Sequence, residues 1–199
     1  MPKPKTVAEL KKFYQESYRP LYSRFNADLG RIPQELHFEV AAALDHLMRS
    51  APGEDNFLKA DLDRVCGHLK RATFDAFKML FEQLRELYRS LHNPDFRDVD
   101  NGKFLPYIEL RWHEARAINR TARGYESLSG NSDPNEWDAA FDEWNKLLPI
   151  IDEFEELSRS PKVCRARSRK RRDWIKWVLS IIISVVIGFF LSKLFERLS

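Results

Sequence analysis

The sequence is poor in the residues that staple or punctuate a chain. Two cysteines, Cys66 and Cys164, occur in 199 residues, too few for a disulfide framework. Seven glycines and ten prolines exclude collagen-like and low-complexity chains. The opening MPKPKTVAEL lacks the apolar core of a signal peptide, so a secreted, disulfide-stapled protein is not expected. No period-2 alternation is sustained anywhere. The one Asn-Gly pair, Asn101-Gly102, lies in a polar stretch rather than between β-branched runs, which argues against hairpins.

Catalytic signatures are missing too. None of the five histidines (His37, His46, His68, His92 and His113) has Glu three residues before it, so the Glu-x-x-His ligand pair of di-iron bundles is absent. There is no HExxH and no paired-cysteine zinc spacing. Nucleophile elbows, phosphate loops and dinucleotide fingerprints are likewise absent. We therefore expect no metal and no cofactor. Cys66 falls on an apolar helical stripe and reads as packing. Cys164 lies in a basic run, where a lipidated thiol is the rival to a bystander.

What is present is sharply partitioned charge. The overall +3 hides a net −5 over residues 1–160, with 23 Lys and Arg against 28 Asp and Glu. Residues 161–176 carry eight basic residues against Asp173 alone. That run abuts the only long apolar stretch, Trp177 to Ser192, sixteen residues without charge. Extended to Ile175 and Phe195 it would rise roughly 31 Å as a helix, the thickness of a bilayer's hydrocarbon core. Lys176 and Lys193 can snorkel, and Trp174 and Trp177 sit where an interfacial aromatic belt belongs.

Arg165, Arg167, Arg169, Lys170, Arg171 and Arg172 precede the span; only Lys193 and Arg197 follow it. The positive-inside rule then keeps the large N-terminal part cytoplasmic and makes the chain a single-pass, tail-anchored membrane protein. The same basic run would meet anionic lipid headgroups; held against a membrane, it is poorly placed for nucleic acid. Ser180, Ser184, Gly188 and Ser192 recur every fourth residue. This small-xxx-small face suits close helix–helix approach, so a homo-oligomer through the span is expected.

The rest reads as all-α, because apolar residues recur with a 3.6 period throughout. The expected layout is a bundle of about five helices over residues 1–160, a polybasic linker at 161–173, a transmembrane helix at 174–195 and a short tail at 196–199. A first helix starts at Thr6, with Glu9 completing a capping box, and ends near Leu29 before Gly30; Pro20 should kink it near Arg19. Its apolar face carries Leu10, Phe13, Tyr14, Leu21, Tyr22, Phe25 and Leu29. A second helix runs from Pro33 to about Arg49, with Leu36, Val40, Ala43, Leu44 and Leu47 inward.

The third, capped near Asn56, is a long central helix from about Phe57 to Leu91. Its wide arc includes Leu58, Leu62, Val65, Leu69, Phe77, Leu80, Leu84 and Leu91, which implies packing on more than one side. A polar loop, NPDFRDVDNGKF, follows. The fourth helix spans about Leu105 to Leu128, with Ile108, Ala115, Ile118, Ala122 and Tyr125 inward. The fifth starts at Pro134, capped by Ser132 or Asp133, and runs to about Ser158 with a kink before Pro149. Trp137, Phe141, Trp144, Leu148, Ile151 and Phe154 form its inward face.

Two places have the residue types for chemistry. Trp112, Arg116, Arg120 and Arg123 share one face of the fourth helix, beside Arg111 and His113. Such a face can grip an anionic small ligand or a phosphorylated partner by bidentate Arg contacts and stacking. The nine acids against Lys146 over 133–158 offer the competing outcome, pairing with Asp138, Asp142 or Glu143. The second place is Arg85 with His92 (RELYRSLH). It resembles the Arg–His pair with which small helical HEPN ribonucleases act on a phosphodiester, as does Arg31 with His37 (RIPQELH). Twenty arginines and five histidines generate such pairs by chance. The resemblance implies a membrane-bound ribonuclease as the alternative function.

ELHFEVAAALDHLMR and HLKRATFDAFK resemble helices of uncharacterised bacterial helical proteins, some ending in membrane spans and encoded among antiphage systems. That resemblance implies a non-enzymatic interaction or sensor module, a membrane effector in bacterial defence with a cytosolic protein or anionic ligand as partner. Tail-anchored helical regulators of eukaryotic cell death share the layout, but their Asn-Trp-Gly-Arg motif is missing here.

Overall fold

The computed structural model describes residues 4, 6–29, 33–49, 59–128 and 134–198; side chains at 26–29, 59–60, 134–136, 170 and 189–198 fall outside the description. Among the described residues every regular element is helical: α1 (Val7–Phe13), a π-helical segment (Tyr14–Tyr18), α2 (Arg19–Leu29), α3 (Gln34–Arg49), α4 (Lys59–Leu91), two 3-10 turns (Pro94–Phe96 and Val99–Gly102), α5 (Phe104–Leu128), α6 (Pro134–Asn145), α7 (Leu147–Arg159) and α8 (Pro161–Leu198). The expectations for Gly30, Arg31, Asn56, Phe57, Leu58, Ser132 and Asp133 lie outside the described residues, as do those for the Leu29, Lys170 and Ser192 side chains.

Local chemistry sets the starts and breaks. The Thr6 hydroxyl accepts the Glu9 N–H at 3.2 Å, satisfying one orphan donor of α1. Pro20 would press its ring on the Glu16 carbonyl in a regular α-helix. The chain instead widens over Tyr14–Tyr18, and the Arg19 N–H bonds back five residues to the Tyr14 carbonyl; a π-segment is a known way to absorb such a conflict. Pro149 acts more strongly. In place of one kinked helix over 134–158 there are two, broken at Lys146. Pro149 sits in the first turn of α7, where its missing N–H has no intrahelical role.

α4 is the axis of the bundle. α3, α5, α7, α2 and the π-segment all pack on it, and α6 packs on α5. Val65, Leu69, Ala72, Phe77, Leu80, Leu84 and Leu91 are buried, each large side chain contributing about 1.5–3 kcal/mol of apolar transfer. Trp144 of α6 stacks on Phe77 with ring centroids 5.8 Å apart, and Trp137 meets Phe13 edge-on at 5.5 Å. A part-buried network joins α2, α4 and α7: Arg24 pairs with Asp152 at 2.7 Å, and Gln83 donates to Glu155 at 3.1 Å.

Three expectations of side-chain direction are corrected. Leu44 is 56% exposed, because α3 presents Leu36, Val40, Ala43 and Leu47 to the core and Leu44 lies a hundred degrees round from Ala43. Tyr14 is 39% exposed, the π-segment having turned it outward while Ser17 and Tyr18 are buried. Tyr125 is 38% exposed; at that level of α5 it is Glu126 that faces α4 and bonds Lys78 at 2.6 Å.

The 93–103 segment is more structured than a polar loop. Asn93 caps its first turn by accepting the Asp95 N–H, and Phe96 is buried against Phe104. Asp100, Asn101 and Gly102 take φ of 51°, 56° and 82°, the left-handed region that Asp, Asn and Gly tolerate best. The basic run is helical. Ser160 caps α8, its hydroxyl accepting the Val163 N–H at 3.4 Å, and one helix of 38 residues carries the basic run straight into the apolar run. Val163 is buried against the bundle; beyond Asp173 the described side chains are largely exposed. Among the described residues no helix is long and apolar enough to cross a membrane. The described side chains stop at Gly188, inside the charge-free run 177–192.

Candidate functional site

α4 and α5 bring the two sequence candidates to one seam. Phe81 and Tyr88 lie two turns apart on α4, and the Trp112 indole of α5 enters between them. Its ring centroid is 5.4 Å from Phe81 and 4.7 Å from Tyr88, with planes inclined by 16° and 12°. His92 continues the stack on Tyr88 at 5.0 Å, and the Arg85 guanidinium lies 6.0 Å from the Phe81 ring centre. Spacing alone placed Trp112 on a basic face; the structure shows that its ring also cements α5 to α4.

Around this ladder the charges are only partly matched. Arg85 pairs with Glu82 at 2.6 Å. Arg111 turns away to α7, pairing with Glu153 at 2.7 Å, which also accepts the Tyr107 hydroxyl. Glu143 pairs with Lys146, and among the described residues no carboxylate lies within ion-pair distance of Arg116 or Arg120. Both are exposed. Arg123 donates to Asn119 at 3.1 Å, and His113 lies 3.9 Å from Glu109. Burial pushes the Tyr88 hydroxyl above its ordinary range and Glu109 adds to this, while Arg116 opposes it. Sequence reasoning missed Phe81 and Tyr88 as parts of this site, because the apolar stripe that marks core and the stripe that marks a stack are the same pattern.

Arg85 lies in the last turns of α4 and His92 just beyond its end, and each is engaged separately, Arg85 by Glu82 and His92 by Tyr88. His46 stacks on His68 at 5.2 Å, and His68 bonds Glu39 at 2.7 Å. Among the described residues no three His, Cys, Asp or Glu side chains are grouped to hold a metal. The Cys66 thiol is buried and donates to the Pro4 carbonyl at 3.6 Å; the Cys164 thiol is exposed.

The basic run forms a second surface. Arg165, Arg167, Arg169, Arg171 and Arg172 are exposed along the first half of α8. Arg165 and Arg169 line an open cavity of about 730 Å3 against the 95–101 loop. Arg167 and Arg171 line a smaller one of about 340 Å3 on the other side, where Arg167 lies 5.8 Å from the centre of the Phe96 ring. Ser180 and Ser184 fall on one face of α8, and the Ser184 hydroxyl donates to the Ser180 carbonyl at 2.9 Å. Comparison with known proteins adds no family assignment: no family model, no curated protein and no solved structure matches this chain.

Proposed function

We propose that this protein is a single-pass, tail-anchored membrane module. Its cytoplasmic helical bundle receives an anionic ligand or protein partner, and its anchor self-associates through Ser180, Ser184, Gly188 and Ser192. The observation that carries the reading is the state of α8 beyond the bundle. Trp174 and Trp177 are each 62% exposed, and Leu179, Ile182, Ile183, Val185 and Ile187 are exposed on all sides of the helix. A helix apolar all round has no stable place in water, and lipid is the environment that this composition fits. The order of parts along α8, basic residues, then indoles, then an apolar run, supports the reading, because it is the order met at the cytoplasmic face of a membrane.

The ligand reading is supported by Arg116 and Arg120, exposed and without a carboxylate partner among the described residues, beside a Trp112 that the stack holds rigid. Bacterial defence follows from the resemblance of 35–49 and 68–78 alone and is part of the proposal on that footing.

Flotation of the full-length chain with phosphatidylcholine vesicles tests the anchor. The chain should rise with the vesicles and resist alkaline extraction; a chain left at the bottom of the gradient, soluble and monodisperse, overturns the reading. Gly188→Ile should lower crosslinked dimer severalfold. RNA cleavage by the purified protein that disappears in His92→Ala would replace the non-enzymatic reading with the ribonuclease one.

A further inference from the structure

The cavity between α8 and the 95–101 loop has a charge pattern that selects its ligand. We propose that it binds a zwitterionic phosphoester, a phosphate with an ammonium group a few bonds away, as in the headgroup of an amino-phospholipid. Arg165, Arg169 and Asp173 follow one another at four-residue steps on one face of α8, and Asp98 lines the opposite wall. Lys162 is already paired with Asp100 across the groove, which pins the first turn of α8 to the loop. Among the described residues no carboxylate lies within ion-pair distance of Arg165 or Arg169, and no cation within that distance of Asp98 or Asp173. Arg165 and Arg169 thus share one groove with Asp98 and Asp173 without closing on them, and Asp95 lines the same groove.

The consequence is electrostatic selection. A simple anion drawn to Arg165 and Arg169 meets Asp98 and Asp173 in the same space, and a simple cation meets the reverse. A ligand carrying both charges satisfies both walls. The phosphate suits the guanidinium pair, the ammonium suits the carboxylates, and Trp174 and Trp177, which also line the cavity, offer ring faces to the same cation. The groove is open to solvent, and its volume of about 730 Å3 has room for a headgroup-sized ligand. The buried Phe96 and the Lys162–Asp100 pair tie the loop to the bundle and to α8.

Only the source of the ligand rests on the membrane reading: with the two indoles at the interface, the groove opens at headgroup depth.

The test uses the full-length protein in an uncharged detergent, titrated by calorimetry with dihexanoylphosphatidylethanolamine, dihexanoylphosphatidylglycerol and O-phosphoethanolamine. The ethanolamine lipid should bind at least about tenfold tighter than the glycerol lipid, a difference of about 1.4 kcal/mol. The double variant R165Q/R169Q should lose that binding, and D98N/D173N should lose the discrimination while still accepting the glycerol lipid. Equal or tighter binding of the glycerol lipid overturns the proposal, as does unchanged binding in R165Q/R169Q. If circular dichroism shows R165Q/R169Q misfolded, the isosteric D98N/D173N decides by itself. Phosphoethanolamine binding as tightly as the lipid assigns the site to the free ester, and weaker binding assigns it to the membrane; both keep the site. A chain that binds the ethanolamine lipid yet fails to float with vesicles keeps the site and loses the anchor. A chain that floats without discriminating loses only the site.

Discussion

Trp112 of α5 stacks on Tyr88 of α4 with ring centroids 4.7 Å apart and planes 12° apart. Phe81 covers the other face of the same indole. The stack joins two helices adjacent in sequence but separated by the structured 93–103 segment, and it sets the α5 face on which Arg116 and Arg120 stand.

Trp112→Ala should therefore destabilise the protein by about 3 kcal/mol, combining lost burial with two lost ring contacts. Trp112→Phe should recover more than half of that. Urea unfolding of the full-length protein in detergent, followed by far-ultraviolet circular dichroism, measures both; a loss below about 1 kcal/mol for the alanine variant means the stack does not hold α5.

Tyr18 makes the opposite prediction. Its ring is buried in the core, yet its hydroxyl has no hydrogen-bond partner among the described residues, and burial drives its ionisation far above the ordinary tyrosine range. An unpartnered buried hydroxyl costs about 1–3 kcal/mol. Tyr18→Phe should leave stability unchanged or raise it by about 1 kcal/mol, read from the same urea midpoint. A clear loss would reveal a partner for the hydroxyl.

Lys78 carries a pH signature. Partial burial lowers its proton affinity, but hydrogen bonds to Glu126 and Asp75, and their charges, outweigh that and hold it above its ordinary 10.5. The folded chain therefore keeps this proton when the unfolded chain has lost it. The stabilisation is complete below the unfolded value and fades as pH rises through the folded one. As pH rises above 10.5 the wild-type urea midpoint should fall more steeply than that of Lys78→Met. Parallel curves would show that the pair adds nothing.

Arg116 and Arg120 should matter for binding rather than folding. Because neither has a carboxylate partner among the described residues, R116Q/R120Q should change stability by less than about 0.5 kcal/mol. The same variant should weaken retention on a heparin or phosphocellulose column, with elution at lower salt. A large stability loss would show that these side chains hold the fold.

The sequence read best where one pattern had one physical meaning. The long arc of α4 buries Leu62, Val65, Leu69, Phe77, Leu80, Leu84 and Leu91, as a helix packed on several sides must. The Thr6 cap formed as its spacing predicts. Reading failed where a local signal had two outcomes. Pro20 and Pro149 both forbid a regular helical bond, yet one was absorbed by a π-segment and the other split the helix. The site was half legible: Trp112, Arg116 and Arg120 were visible as a face, but Tyr88 looked like core and Arg111 like part of the face until Glu153 claimed it.

By itself the sequence determined the all-helical class, the long central helix, and the partition into an acidic bundle and a basic, then apolar, C-terminal segment, because periodicity and charge are properties of the chain before it folds. Only the tertiary structure decided which cations found partners. Ion pairing depends on distances between residues far apart in sequence, such as Lys162 with Asp100 or Arg111 with Glu153. Among the described residues it left Arg116, Arg120, Arg165 and Arg169, like Arg97 and Arg171, without a carboxylate partner.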